Sequence, residues 1–239
     1  MKKIVIMISC IATILAGCNN NTDNIQQETK DSEEVIQPNA QATFEVVEEE
    51  TGNKFINGHE FVDLGLRTKW ATCNVGANEP HEYGNYYAWG ETTTKNSYTE
   101  ANSKTLGKSV SDMNCDDIGG YESYDAATAN WGKGCRMPSR LDMKELEERC
   151  TWTWTTENDV NGFKVTGPNG NSIFLPAAGI YDTELSDVNY GCYYLTSTIY
   201  KLNDNDNSNA YREYACPGVS DGLNGGGREF GYSVRPVTD

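Results

Sequence analysis

"TWTWTTENDVNGFKVTGPNGNSIFLP", residues 151–176, is the stretch whose reading decides the fold class. Its first six residues alternate strictly, with Trp152 and Trp154 on one face and threonines on the other, the period of two of a half-buried strand. "GFKVTG" and "SIFLP" continue that pattern, and "ENDVNG" between Thr156 and Phe163 supplies Asn-Gly chemistry at Asn161 and Gly162 for a hairpin turn. Working outward, "FVDLGL" (61–66), "KWATCNVG" (69–76), "GNYYAWGE" (84–91), "CYYLTSTIY" (192–200) and "GYSVRPV" (231–237) read as further short strands separated by Gly and Asn. One segment breaks the rule. In "WGKGCRMPSRLDMKELEERC" (131–150), Ser139 and Asp142 form a capping box with Asp in place of Glu. Met143, Leu146 and Cys150 then recur at spacings of three and four, giving a helix with one narrow apolar stripe. Its charged residues are expected on solvated faces, which makes the helix a scaffold. The expectation is one α+β domain of short antiparallel strands, hairpins and one or two helices over residues 55–239.

The N-terminal region has a different character. Met1, Lys2 and Lys3 precede the apolar run "IVIMISCIATIL", which is shorter than the roughly 20 residues a spanning helix needs and matches a secretory signal over residues 1–17. An ordinary cleaved signal is one reading. Leu15-Ala16-Gly17-Cys18 resembles the bacterial lipobox, which implies that Cys18 is acylated and becomes the N-terminus of a lipoprotein held to a membrane by lipid alone, as on the outer membrane, at its surface or its periplasmic face. Residues 18–54 are rich in Asn, Gln, Thr, Asp and Glu and read as an acidic tether. Its typical span is on the order of 30–35 Å. "FEVVEEE" offers the alternative of a first strand.

Export bears on the cysteines. Cys10 leaves with the signal and Cys18 is taken by lipid, so Cys73, Cys115, Cys135, Cys150, Cys192 and Cys216 form an even set expected to form disulfides, with fifteen connectivities open. A helix from Ser139 to Cys150 rises about 16 Å, too far for Cys135 to bridge Cys150. The preferred pairs are Cys192 with Cys216, Cys73 with Cys150 and Cys115 with Cys135. The formal charge is −16, and loss of Lys2 and Lys3 makes it −18. Such a surface disfavours nucleic acid and gives no support for direct adhesion to an anionic membrane.

"FVDLGLRTKWATCNVGA", "YGNYYAWGET", "DAATANWGKGCRMPS", "CTWTWTTENDVNGFKVTGPNGNSIFLPAAG" and "GYSVRPV" together resemble the Fibrobacter major paralogous domain family over about Phe61 to Val237. The resemblance implies a secreted or lipid-anchored bacterial protein with a C-type lectin-like fold, shared with formylglycine-generating enzymes. Two positions depart from the family pattern, with Cys135 before "RMP" and Leu195 in "YYLTS" each replacing a tryptophan. The fold analogy raises a copper-dependent oxidase. Cys216 would be one ligand, but Val234 and Arg235 stand where the second thiol is expected. One soft ligand is too few. His59 and His81, the two histidines, are scattered, and neither marks a nucleophile–base pair, so no catalytic residue is assigned. "LNDNDNSN" (202–209) gathers oxygen ligands suited to calcium without the Gly and distal Glu of an EF-hand, and no metal residue is assigned.

The remaining candidate is "YKLNDNDNSNAYREYACPGVSDGLNGGG" (200–227), read as a polar, tyrosine-bearing loop on a rigid scaffold. The expected binding residues are Tyr200, Asn203, Asp204, Asn205, Asp206, Asn207, Tyr211, Arg212 and Tyr214. The expected partner is a glycan or a protein outside the cytoplasm; a purely structural envelope lipoprotein is the rival.

Overall fold

The computed structural model describes residues 53–113, 115, 117–203 and 207–239. The signal segment, Cys18 and the tether up to residue 52 lie outside the described residues, as do Asp204, Asn205 and Asp206. In chain order the elements are β1 (Lys54–Ile56), β2 (His59–Val62), β3 (Lys69–Ala71), a 3-10 turn at Glu100–Asn102, α1 (Val110–Met113), α2 (Ala126–Trp131) and α3 (Arg140–Arg149). They continue with β4 (Thr151–Glu157), β5 (Val160–Thr166), β6 (Ser172–Pro176), β7 (Ile180–Tyr181), β8 (Leu185–Ser186), β9 (Cys192–Tyr200), β10 (Asn209–Cys216), β11 (Val219–Gly227) and β12 (Val237–Thr238). The class is α+β with most regular structure in antiparallel sheets, ordered β1-β2-β3-β12, β11-β10-β9, β4-β5-β6 and β7-β8. Among the described residues no helix is long and apolar enough to cross a membrane.

The β4–β5 hairpin forms as the alternation requires, with Trp152 and Trp154 both edge-on to Phe163 at 5.6 and 5.0 Å. Its turn, however, is Asn158-Asp159, both with positive φ (47° and 64°), the backbone of a two-residue hairpin loop. Asn161 and Gly162 lie inside β5 instead. Gly162 is there because a Cβ would stand 2.3 Å from the carbonyl oxygen of Leu175 across the ladder. "GNYYAWGE" is likewise no strand, and contributes only a single bridge, Tyr87 to Tyr232.

α3 starts as its sequence dictates. The Ser139 hydroxyl accepts from the Asp142 amide (3.2 Å), while the Asp142 carboxylate accepts from the Ser139 amide (2.9 Å). Met143 and Leu146 are buried. Asp142 is not on a solvated face: it is fully buried and also accepts from Arg67 (2.9 Å) and Arg136 (2.8 Å). Burial alone would raise its pKa, but the hydrogen bonds from Arg136, Ser139 and Arg67 pull it down to about 2.

The core has two clusters. One gathers Phe61, Trp89, Ile118, Trp131, Leu195 and Val234; the other gathers Trp70, Met143, Leu146, Val165, Leu175 and Tyr194. β9 serves both, because Tyr194 and Leu195 point to opposite faces. Residues 231–237 stitch the elements together through bridges from Gly231 to Tyr181, Tyr232 to Tyr87, Ser233 to Tyr194 and Val237 to Arg136. Arg235 is wholly buried and donates to Asn74 Oδ1 (2.8 Å), to the carbonyls of Ala71 (3.0 Å) and Thr72, and to that of Phe174 (2.9 Å), joining β3 to β6.

None of the three expected disulfides is formed. Cys73 borders the first cluster and Cys150 the second, so that bridge would span two cores. Cys192 stands opposite Ala215 in the β9–β10 ladder, which turns the next residue, Cys216, to the other face of the sheet. Cys115 and Cys135 share the first cluster without bonding to each other.

Candidate functional site

The segment read as a binding loop consists mainly of a pair of strands. β9, β10 and β11 form a sheet with Arg212 opposite Leu195, Tyr214 opposite Tyr193 and Tyr211 opposite Gly225. Alternation along β10, with a bulge between Ala210 and Arg212, divides the expected site residues between two faces. Tyr211 lies edge-on to Tyr200 (4.9 Å), with the Arg140 guanidinium of α3 4.8 Å from its ring centre. On the opposite face Arg212 sits over Tyr193 (5.4 Å) and Tyr214 (5.3 Å), and the Tyr193 hydroxyl donates to Asp187 (2.7 Å). Tyr200, Tyr211, Arg212 and Tyr214 therefore do not form one surface. Asn203 is exposed, and Asn207 lies elsewhere again, in the wall of a cavity.

That cavity, of about 520 Å³, is lined by Glu100, Leu106, Gly107, Asn207, Ser208, Asn209, Gly227 and Glu229. One wall is the turn after the 3-10 segment and the other is the β10–β11 hairpin's open end. The walls are joined by the Gly107 amide donating to the Asn207 carbonyl (3.1 Å), and the hairpin's open end is closed by the Arg228 amide donating to that of Ser208 (2.9 Å). Arg228 forms the support underneath. It is fully buried, lies 4.4 Å over the Trp89 ring, and donates to the carbonyls of Asn209 (3.1 Å) and Lys108 (2.8 Å). A cation braced against an aromatic ring and bonded to two loops fixes the cavity's shape. Glu91, also buried, accepts from Lys95 (3.1 Å) and from the Lys104 amide (2.8 Å), holding the turn from behind.

The lining is polar apart from Leu106 and two glycines. Asn207 Oδ1 and Glu229 Oε2 are both shut off from solvent and have no hydrogen-bond partner among the described residues. Buried acceptors left unmatched cost free energy, roughly 1–3 kcal/mol each. Gly227 belongs to the design, because a Cβ there would come within 2.7 Å of the Glu229 carboxylate.

Of the six binding residues read from the sequence that are among the described residues, Asn207 alone lines this cavity. Glu100, Leu106, Gly107 and Glu229 come from distant segments and share no local pattern that sequence reasoning could find. The glycine run 225–227 is the available signal. A Cβ at Gly225 would strike the Tyr200 ring (2.6 Å) and one at Gly226 the Tyr232 hydroxyl (2.6 Å), so the run marks crowded strand, not open loop.

Among the described residues no group of three or more His, Cys, Asp or Glu side chains is placed to hold a metal ion. Comparison with known proteins yields no match to a family model, a curated protein or a solved structure.

Proposed function

We propose that this protein is a ligand-binding module that acts outside the cytoplasm, tethered by lipid at Cys18, and that it recognises a glycan in the cavity between the 100–107 turn and the β10–β11 hairpin. The single observation that carries the reading is a rigidly braced cavity with a polar lining from Glu100, Asn207, Ser208, Asn209 and Glu229. Sugar hydroxyls donate to carboxylate and amide oxygens of this kind, and about 520 Å³ accommodates a mono- or disaccharide unit. The motif resemblance to the Fibrobacter major paralogous domain, with its C-type lectin-like arrangement, supports the same class of role. No catalytic step is assigned to the site.

The test is a glycan panel probed with the full chain, with and without calcium, followed by titration of any hit against Glu229→Gln and Asn207→Ala. Each variant should weaken the hit by roughly tenfold, the effect of about 1.4 kcal/mol, with thermal stability nearly unchanged. A panel with no reproducible hit favours the structural envelope role; a hit that both variants bind as tightly as the parent removes this cavity from the site.

A further inference from the structure

β4 carries the inference, through the edge it leaves uncovered. It has one neighbour in its sheet, β5, so alternate residues point their backbone groups away from the ladder. Which residues these are follows from the turn. Asn158-Asp159 is a two-residue loop, so Glu157 and Val160 on either side of it form a hydrogen-bonded pair. Such pairs recur at every second residue, at Thr155 with Gly162, Thr153 with Lys164 and Thr151 with Thr166. The far side of β5 agrees, because the Asn161 carbonyl accepts from the Ala177 amide (2.8 Å), away from β4. Trp152, Trp154 and Thr156 therefore aim their amides and carbonyls outward, and among the described residues those groups have no partner.

The edges of β6, β9, β11 and β1 are closed or blunted. At β6 the carbonyls of Phe174 and Pro176 accept from Arg235 (2.9 Å) and from the Tyr194 hydroxyl (3.0 Å). At β9 the amides of Leu195 and Ser197 donate to the carbonyls of Ser233 (3.0 Å) and Pro138 (2.8 Å). β11 is bent by a register shift opposite Tyr214 and Ala215 and by a positive φ at Gly222 (61°). β1 is three residues long and begins with a lysine. Unprotected edges template pairing with another chain, and covers, bulges, shortness, lysine and proline prevent it. β4 has none of these protections: it runs for seven residues in unbroken register with β5, and its one charge is Glu157 at the end.

We infer that β4 is a dimer interface, pairing antiparallel with β4 of a second copy of this chain about a two-fold axis at Trp154. In that register Trp152 faces Thr156 of the other copy and Trp154 faces its own counterpart, so every outward amide and carbonyl of these residues gains a partner. The side chains match themselves as well. Thr153 falls opposite Thr155, and the half-buried Trp154 forms an aromatic pair at the axis. Glu157 falls opposite Thr151, which places the two carboxylates at opposite ends with no like charges facing each other. This self-match selects a second copy over an unrelated strand, and the two-fold contact closes at two chains.

Sedimentation velocity tests it on the full chain, from low micromolar to near-millimolar concentration, in salt high enough to screen the formal charge of −16. A monomer–dimer equilibrium is expected. Over the same range, amide hydrogen exchange should slow at Trp152, Trp154 and Thr156 and stay unchanged at Thr153 and Thr155, whose amides already bond to β5. Thr156→Pro removes an outward donor and spares the β5 ladder. It should raise the dissociation constant by about tenfold or more, with circular dichroism unchanged. Thr153→Glu and Thr155→Lys test the register. Each alone sets like charges on a diagonal across the axis, whereas an equimolar mixture sets Glu against Lys and should associate several-fold more tightly than either. A chain that stays monomeric throughout, a dimer equally tight in Thr156→Pro, a mixture no tighter than its components, or slowed exchange confined to another strand would each overturn the proposal.

Discussion

Two carboxylates lie buried against opposite ends of α3, each about 1% exposed, and they are treated in opposite ways. Asp142, in the first turn, meets two arginines and the helix cap, and is drawn down to about 2. Glu213 reaches the helix from β10. Its Oε2 has no partner among the described residues, and burial together with the nearby Glu147 carboxylate drives it up to about 8, only partly opposed by Arg212. The same burial yields a fixed ion at one end and a neutral acid at the other. What separates them is the supply of donors: a charge inside a protein persists only where it is paired and hydrogen-bonded.

The largest expected effect comes from breaking the paired end. Asp142→Ala removes the carboxylate half of the capping box and the buried partner shared by Arg67 and Arg136, leaving Arg136 with Asp239, and should cost on the order of 3 kcal/mol, read as a lower urea midpoint. Next comes the pH dependence of the unpaired end. The folded-state pKa of Glu213 is raised, so its contribution is complete below about 4.5 and is lost as pH climbs through about 8. Asp142 has the reverse sign, since its pKa is lowered. Its contribution is present above 3.8 and is lost as pH falls toward 2. Unfolding midpoints of the parent should therefore peak at about pH 4–5. Glu213→Gln should flatten the alkaline side and stabilise the protein at pH 9 by about 2 kcal/mol, with almost no change at pH 5; a parallel offset at both pH values would refute the assignment. The smallest effect calibrates the other two. Asp159→Gly relieves a positive φ of 64° in the β4–β5 turn and should add about 0.5 kcal/mol, equally at every pH.

Local order is legible in the sequence and long-range assembly is hidden from it. Trp152 and Trp154 on one strand face, and Ser139 with Asp142 at a helix start, are signals confined to a few residues, and both appear as read. α2 gives no such signal although Asp125 caps it by accepting from the amides of Ala127 and Thr128, because "AATANW" has no apolar period to draw attention. The run 209–227 reads as a loop because glycine and polar residues dominate it; Tyr200, Tyr232 and Glu229 fill the space that larger side chains would need. The cavity depends on contacts from Glu100 to Glu229, and Asp142's arginine partners come from 75 residues before it and 6 residues before it. Spacing along a chain does not encode such meetings.

The segment from Gly231 to Val237 has a consequence for biogenesis. It is a drawstring, threaded through four bridges and through backbone bonds to Val75 and Ala71. Hairpins such as β4–β5 can form on their own, but the first cluster cannot close without Tyr232 and Val234, nor the second without Val237. A chain cut short near residue 229 would therefore leave the first cluster open and exposed to proteases.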